Sequence, residues 1–203
     1  YARCESFYFE KSKLRIKKFL DNNNIKDATH FINGIQVPTA LEMLDKIVPG
    51  FLCNDMSYKF HGDFILENII DTDDDNFKLI DWRQDFGGSL TEGDIYYDLA
   101  KLNHNLIFNH EIVNKGFFEI KIENDKITCD IMRNNIMVEC QEILNDFLIE
   151  NKFSVEIINI LTPLIWLNMS PLHEYPINMF LFFFGKYNLA EALYYHPLLK
   201  IKL

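Results

Sequence analysis

Three polar side chains, Asp63, Asn68 and Asp81, stand in an order and spacing that could handle a phosphoryl group. His61-Gly62-Asp63 opens the stretch HGDFILEN, which sets Asn68 five residues after Asp63. Asp81 ends an apolar run, Phe77 to Ile80, broken only by Lys78. Between them lies Asp71-Thr72-Asp73-Asp74-Asp75-Asn76, a polar cluster of turn formers with a short apolar run on each side. That pattern predicts a hairpin. A hairpin returns the chain to its starting point, so Asp63, Asn68 and Asp81 are expected to converge. Phosphoryl transfer uses such a trio. One carboxylate orients the attacking hydroxyl and can accept its proton, while an amide oxygen and a second carboxylate hold Mg²⁺ against the nucleotide phosphates.

The stretch from Phe60 to Leu102 resembles the aminoglycoside phosphotransferase and choline kinase superfamily, small-molecule kinases with a protein-kinase-like fold. HGDFILEN is similar to the catalytic loop, LIDW to the metal-binding strand, and GDIYYDLAKL to the Gly-Asp…Asp-Leu-Ala segment that follows. The resemblance implies Asp63 as the catalytic base, Asn68 and Asp81 as Mg²⁺ ligands, and His61 as a loop organiser. It also implies that Asp98 braces the catalytic loop. ATP or GTP would donate the phosphoryl group. The acceptor would be a small-molecule hydroxyl, on choline, an amino alcohol, a sugar or an aminoglycoside, bound largely by C-terminal helices and loops. Asp85-Phe86-Gly87 spells the kinase Asp-Phe-Gly motif, but Asp85 falls in the loop after the strand, so Asp81 is taken as the ligand. Glu67 is a candidate for touching substrate. Trp82, Trp166 and Tyr175 could wall an ammonium group, although aromatic residues more often belong to a core.

The upper-lobe parts of that family are missing. The eight glycines form no Gly-x-Gly-x-x-Gly, and no Lys paired with a helix Glu is seen. The expectation is a single domain over 1–203, the C-terminal lobe of a longer chain, with the N-terminal lobe of the same protein as its partner. Alone, it is expected to transfer phosphate poorly or not at all. Two other readings are a kinase-like binding module without catalysis and a carboxylate-metal nucleotidyltransferase or hydrolase.

Composition, 48% hydrophobic, allows a packed core, and the patterning together with the resemblance implies an α+β domain, mainly helical, with small hairpins. The formal charge of −10 and pI near 5.0 disfavour nucleic acid and would suit a cationic acceptor. Cys4, Cys53, Cys129 and Cys140 are scattered, which suggests a reduced, cytoplasmic setting. The longest nearly apolar run, Ile177 to Phe184, is too short to span a bilayer. Helical spacing runs over Phe7–Leu20, whose basic face reads as solvated, and over Thr39–Val48 and Arg133–Ile149. Asp94 is expected to cap a helix carrying Asp98, and Ser154 one that contains Pro163. Two more helices are expected, over Ile177–Phe184 and Asn188–Tyr195, with loops over Gly34–Pro38 and Ser170–Pro176 and a second hairpin over Gly116–Asp130. The Asp71, Asp73, Asp75 spacing suggests calcium, but Asn76 and Trp82 occupy the required Gly and Glu positions. No zinc spacing occurs among the six histidines.

Overall fold

The computed structural model describes residues 1–53, 56–57, 60–72, 76–83 and 85–195, with backbone alone at 56, 57 and 195. Asp73 to Asp75, and with them the tip of the acidic turn and the calcium spacing, lie outside the described residues. The fold is α+β and mostly helical.

The chain opens with α1 (Ala2–Glu5), a π-helical turn (Ser6–Glu10) and α2 (Lys11–Asn23), which follow one another without a break. The helix expected over Phe7–Leu20 is therefore longer at both ends. Within it Leu14 is exposed, whereas Phe7, Tyr8 and Phe9 are all buried. Asn24 adopts the left-handed conformation (φ 52°), and the amides of Asn24 and Ile25 close the last turn on Asp21 and Leu20. Next come β1 (His30–Ile32) and β2 (Ile35–Val37), joined by Asn33-Gly34 at φ 49° and 85°. This two-residue Asn-Gly turn makes a hairpin where a loop over Gly34–Pro38 was expected. Thr39 caps α3 (Ala40–Lys46), accepting the Glu42 amide at 3.1 Å. Pro49, just past the helix expected over Thr39–Val48, opens α4 (Pro49–Leu52), where its missing N–H costs nothing.

After β3 (Met56–Ser57) comes the expected hairpin of β4 (Ile69–Thr72) and β5 (Asn76–Leu79), with Ile69 opposite Leu79. β6 (Gly93–Asp94) pairs antiparallel with β3 and leads into α5 (Ile95–Ile107), whose first turn Asp94 caps through the Tyr96 amide at 2.9 Å. Following α6 (His110–Lys115), β7 (Phe118–Glu123) and β8 (Lys126–Ile131) form the second expected hairpin. It does not stand alone. β8 runs parallel to β1, giving a four-stranded sheet in the order β2-β1-β8-β7. The Asn33 amide locks the join, donating to the Cys129 carbonyl and accepting its N–H, both at 2.9 Å.

The rest is helical: α7 (Asn135–Glu150), α8 (Val155–Met169) and α9 (Ile177–Ala190). α9 runs on through a π turn to Tyr195, one continuous element where two helices were expected. α8 packs against α5, α7 and α9. Trp166, Phe180, Phe182 and Phe183 are fully buried in the core, and Phe19 of α2 stacks on Phe182 with ring centres 4.3 Å apart. Val155–Leu172 is long and apolar enough to cross a membrane, but most of it is buried, the position of a core helix.

Candidate active site

The loop from His61 to Asn68 is shaped by α5. Asp98 is buried, and its two oxygens accept the backbone amides of His61 at 2.7 Å and Gly62 at 2.6 Å. Burial pushes the Asp98 carboxyl above its ordinary range, against the pull of these two hydrogen bonds. His61 is fixed at both ring nitrogens. Its Nδ1 lies 3.2 Å from the Asp63 amide and its Nε2 lies 2.9 Å from the Ile80 carbonyl. An amide can only donate and a carbonyl can only accept, so the ring carries its proton on Nε2. One turn further along α5, Lys101 Nζ sits 2.7 Å from Asp63 Oδ1. A turn beyond that, the Asn105 side chain accepts the Leu66 amide at 3.0 Å and donates to Glu67 at 2.9 Å. Asp98, Lys101 and Asn105 thus bond to successive parts of one loop.

Asn68 ends the loop. Its amide nitrogen donates to the Asp63 carbonyl at 2.8 Å and to the Asp63 carboxylate at 3.3 Å. The amide oxygen, on the other branch of the group, is the end left to act as a ligand. The Asn68 carbonyl also accepts the Ile80 amide at 3.0 Å, which extends the β4–β5 ladder by one pair. The structure therefore brings Asp63 and Asn68 together directly and sets Asp81 one residue beyond the pair that joins the strand ends. Asp81 is exposed and has φ 57°, a left-handed conformation that a non-glycine residue adopts at a cost of ~1–2 kcal/mol. Two residues on, the Arg83 amide bonds to the His61 carbonyl at 2.8 Å, so the loop holds the strand on both sides of Asp81. Asp85 has a different task, accepting the Gly88 amide at 3.0 Å inside its own turn.

An amide oxygen and one carboxylate on paired strand ends suit Mg²⁺, which takes one or two carboxylates and fills its remaining positions with water and phosphate. Among the described residues no group of three or more His, Cys, Asp and Glu side chains gathers as a metal cluster. Asn68 and Asp81 would need water and phosphate to complete the coordination of such an ion.

The remaining candidates separate. Glu67 binds α5 and α6 residues, Asn105 and His110, the latter at 3.2 Å. Trp82 packs against His61 with ring centres 4.6 Å apart and the rings tilted by 40°. The expected aromatic wall is not built, however. Trp166 is buried in the core against Phe184 and His104, and Tyr175 is exposed on the loop before α9. One cleft has Asp63 in its wall, and a second meets it at Lys101 and Met169. The first, of about 230 Å³, has Asp63, His104, His110 and His173 in its wall with Phe108, Ile177 and Leu181. His104 is held well below the ordinary histidine range by burial and by the charges of Lys101, His110 and His173. The other, of about 160 Å³, runs between α2, α5 and α8. Lys101 and Asn105 were missed in the sequence, yet Asp98, Lys101 and Asn105 fall at i, i+3 and i+7, a polar stripe along one side of the helix. Comparison of the chain with protein-family models, curated proteins and solved structures gave no match.

Proposed function

We propose that this chain forms the C-terminal lobe of a kinase-like phosphotransferase, which moves the γ-phosphoryl group of ATP or GTP to a small-molecule hydroxyl. The observation that carries this reading is the Asp63–Asn68 contact at 3.3 Å, held on a loop that α5 braces and that the Asp81 strand end adjoins. Asp63 accepts the proton of the attacking hydroxyl as its oxygen bonds to the γ-phosphorus and the bond to the β-phosphate oxygen breaks. Asn68 steadies the Asp63 carboxylate through its amide N–H. Lys101 adds a cation at the same centre, 2.7 Å from Asp63. Asn68 Oδ1 and the Asp81 carboxylate would hold Mg²⁺, which neutralises charge on the transferring phosphates. His61 and Asp98 position the loop and do not touch the reacting atoms.

The test uses the complete gene product with Mg²⁺, γ-labelled ATP and a panel of alcohols. Label appearing on a hydroxyl ester supports the reading, whereas pyrophosphate or free phosphate as the product points to a nucleotidyltransferase or a hydrolase. Replacing a positioned base removes ~10²–10⁴ in rate, and Asp63→Asn should lose that much in kcat. Asp81→Ala should abolish metal-dependent nucleotide binding, and Asp85→Ala should leave it in place. The opposite pattern at 81 and 85 would remove Asp81 from the site.

A further inference from the structure

The chain carries ten more acidic than basic groups, yet one cleft beside the candidate active site collects cations. Lys11 and Arg15 of α2, Arg83 of the loop after Asp81, and Lys101 of α5 all line it. Among the described residues no Asp or Glu lines it; the rest of the wall is mainly apolar, with Phe7, Leu161 and Leu164, and includes the polar Ser12 and Asn168. Aromatic rings hold two of the cations in place. Lys11 Nζ lies 4.0 Å from the centre of the Phe7 ring, and the Arg83 guanidinium lies 5.2 Å from the same ring and 5.9 Å from that of Tyr97. Arg83 also donates to the Tyr97 hydroxyl at 3.2 Å. Lys101 is the link to chemistry, because it lines this cleft and touches Asp63 at 2.7 Å.

A basic helix face usually means solvated side chains. Lys17 and Lys18 fit that description, being exposed, but Lys11 and Arg15 are half-buried and turn to the cleft. Like charges gathered in a partly apolar cleft repel one another, and an anionic guest relieves that repulsion. The cost is visible at Lys11, whose pKa is pushed down to about 8, first by burial and then by Arg83, Arg15 and Lys101, with Asp85 opposing.

We infer that the acceptor alcohol carries an oxyanion, a carboxylate or a phosphate, which Lys11, Arg15, Arg83 and Lys101 hold in this cleft so that its hydroxyl reaches Asp63. The term acceptor rests on the phosphotransferase reading, while the oxyanion site rests on the cleft alone. A cationic acceptor, which the acidic surface had suggested, would meet repulsion here.

The experiment has two arms, both on the complete gene product. The first is titration calorimetry with glycerol 3-phosphate and glycerate, against neutral glycerol and cationic choline. At least one of the anions should bind about tenfold or more tightly than glycerol, the range expected for a charge-assisted hydrogen bond. Whichever is tighter identifies phosphate or carboxylate as the group recognised. Arg15→Gln and Arg83→Gln should each lose that advantage while keeping their melting temperature, and Arg83→Lys should recover part of it. Equal or tighter binding of glycerol or choline overturns the inference, as does unchanged anion binding in the Gln variants. In the second arm, transfer from ATP, the Gln variants should raise acceptor KM about tenfold and leave nucleotide KM near wild type. A rise in nucleotide KM alone assigns the cations to ATP and also overturns it. Transfer to choline without anion binding leaves the phosphotransferase reading standing and removes the inference. Anion binding without transfer to any alcohol removes the phosphotransferase reading and leaves the oxyanion site.

Discussion

Asp98 shows how one buried side chain can set the shape of the His61–Asn68 loop. Its two oxygens receive two backbone amides, those of His61 and Gly62, and a carboxylate is the group able to accept both. Asn at this position keeps the size and offers a single acceptor oxygen, so its NH₂ must face one of the amides. An unsatisfied buried donor costs ~1–3 kcal/mol, so Asp98→Asn should lose that much stability in urea unfolding. If Asp98 acts only through the loop, kcat should fall while nucleotide affinity changes little; unchanged stability and kcat would show that the amides have another partner. The placement of several such residues was legible because it follows from short stretches of chain. Asp63, Asn68 and Asp81 sit around one hairpin, and Asp98 follows its helix cap by one turn. The role of Lys101 depends on which face of α5 meets the loop. The stripe of Asp98, Lys101 and Asn105 marks that face but does not say what lies against it. Trp166 went to the core, the commoner place for an aromatic side chain, and its type alone does not separate that place from a binding wall.

At the scale of elements, the loop and the strand return after β5 approach one another at Gly62. This residue has φ 83°, and a Cβ there would stand 2.4 Å from the Arg83 Cβ and 2.8 Å from the Phe60 ring. Gly34, in the β1–β2 turn, has nearly the same φ, 85°, with nothing within 4 Å of such a Cβ. The two positions thus separate backbone strain from contact. Gly34→Ala should cost only the left-handed penalty of ~1–2 kcal/mol and leave any activity intact. Gly62→Ala should cost more in denaturant unfolding and should also lower turnover, because the loop must move off Arg83. Equal losses at the two sites would mean that the loop tolerates displacement. Pattern reading identified the β4–β5 and β7–β8 hairpins and the cap of α5, all features of short range. It passed over the Asn33-Gly34 turn, a strong local signal, because Gly34–Pro38 was read as loop. The parallel pairing of β1 with β8 had no local signal at all, since it joins segments almost a hundred residues apart.

For the molecule as a whole, the long-range contacts that close the fold include a buried cation. Lys186 of α9 has no solvent exposure. Its ammonium donates to the Ala28 carbonyl, lies 2.9 Å from His30 Nδ1 and 3.5 Å from Asp27, and so ties the last long helix to the segment before β1. Burial pushes its pKa down to about 8 from an ordinary 10.5, and Asp27 only partly offsets this. Between these two values the unfolded chain holds a proton that the folded chain has released, so this group makes the protein more stable as pH rises from about 8 toward 10.5. Below about 8 both states are charged and its contribution is constant. Lys11, also lowered to about 8, acts in the same direction, so the wild type alone cannot isolate Lys186. Lys186→Met can, because Met fills similar space without a titrating group, and Asp27 retains the Ala40 and Leu41 amides at 3.0 Å each. The unfolding free energies of wild type and variant, measured in urea at several pH values across that window, should draw apart with rising pH in favour of the wild type. A constant gap would mean that Lys186 keeps its ordinary proton affinity inside the fold, and that the 27–30 segment accommodates a full charge there.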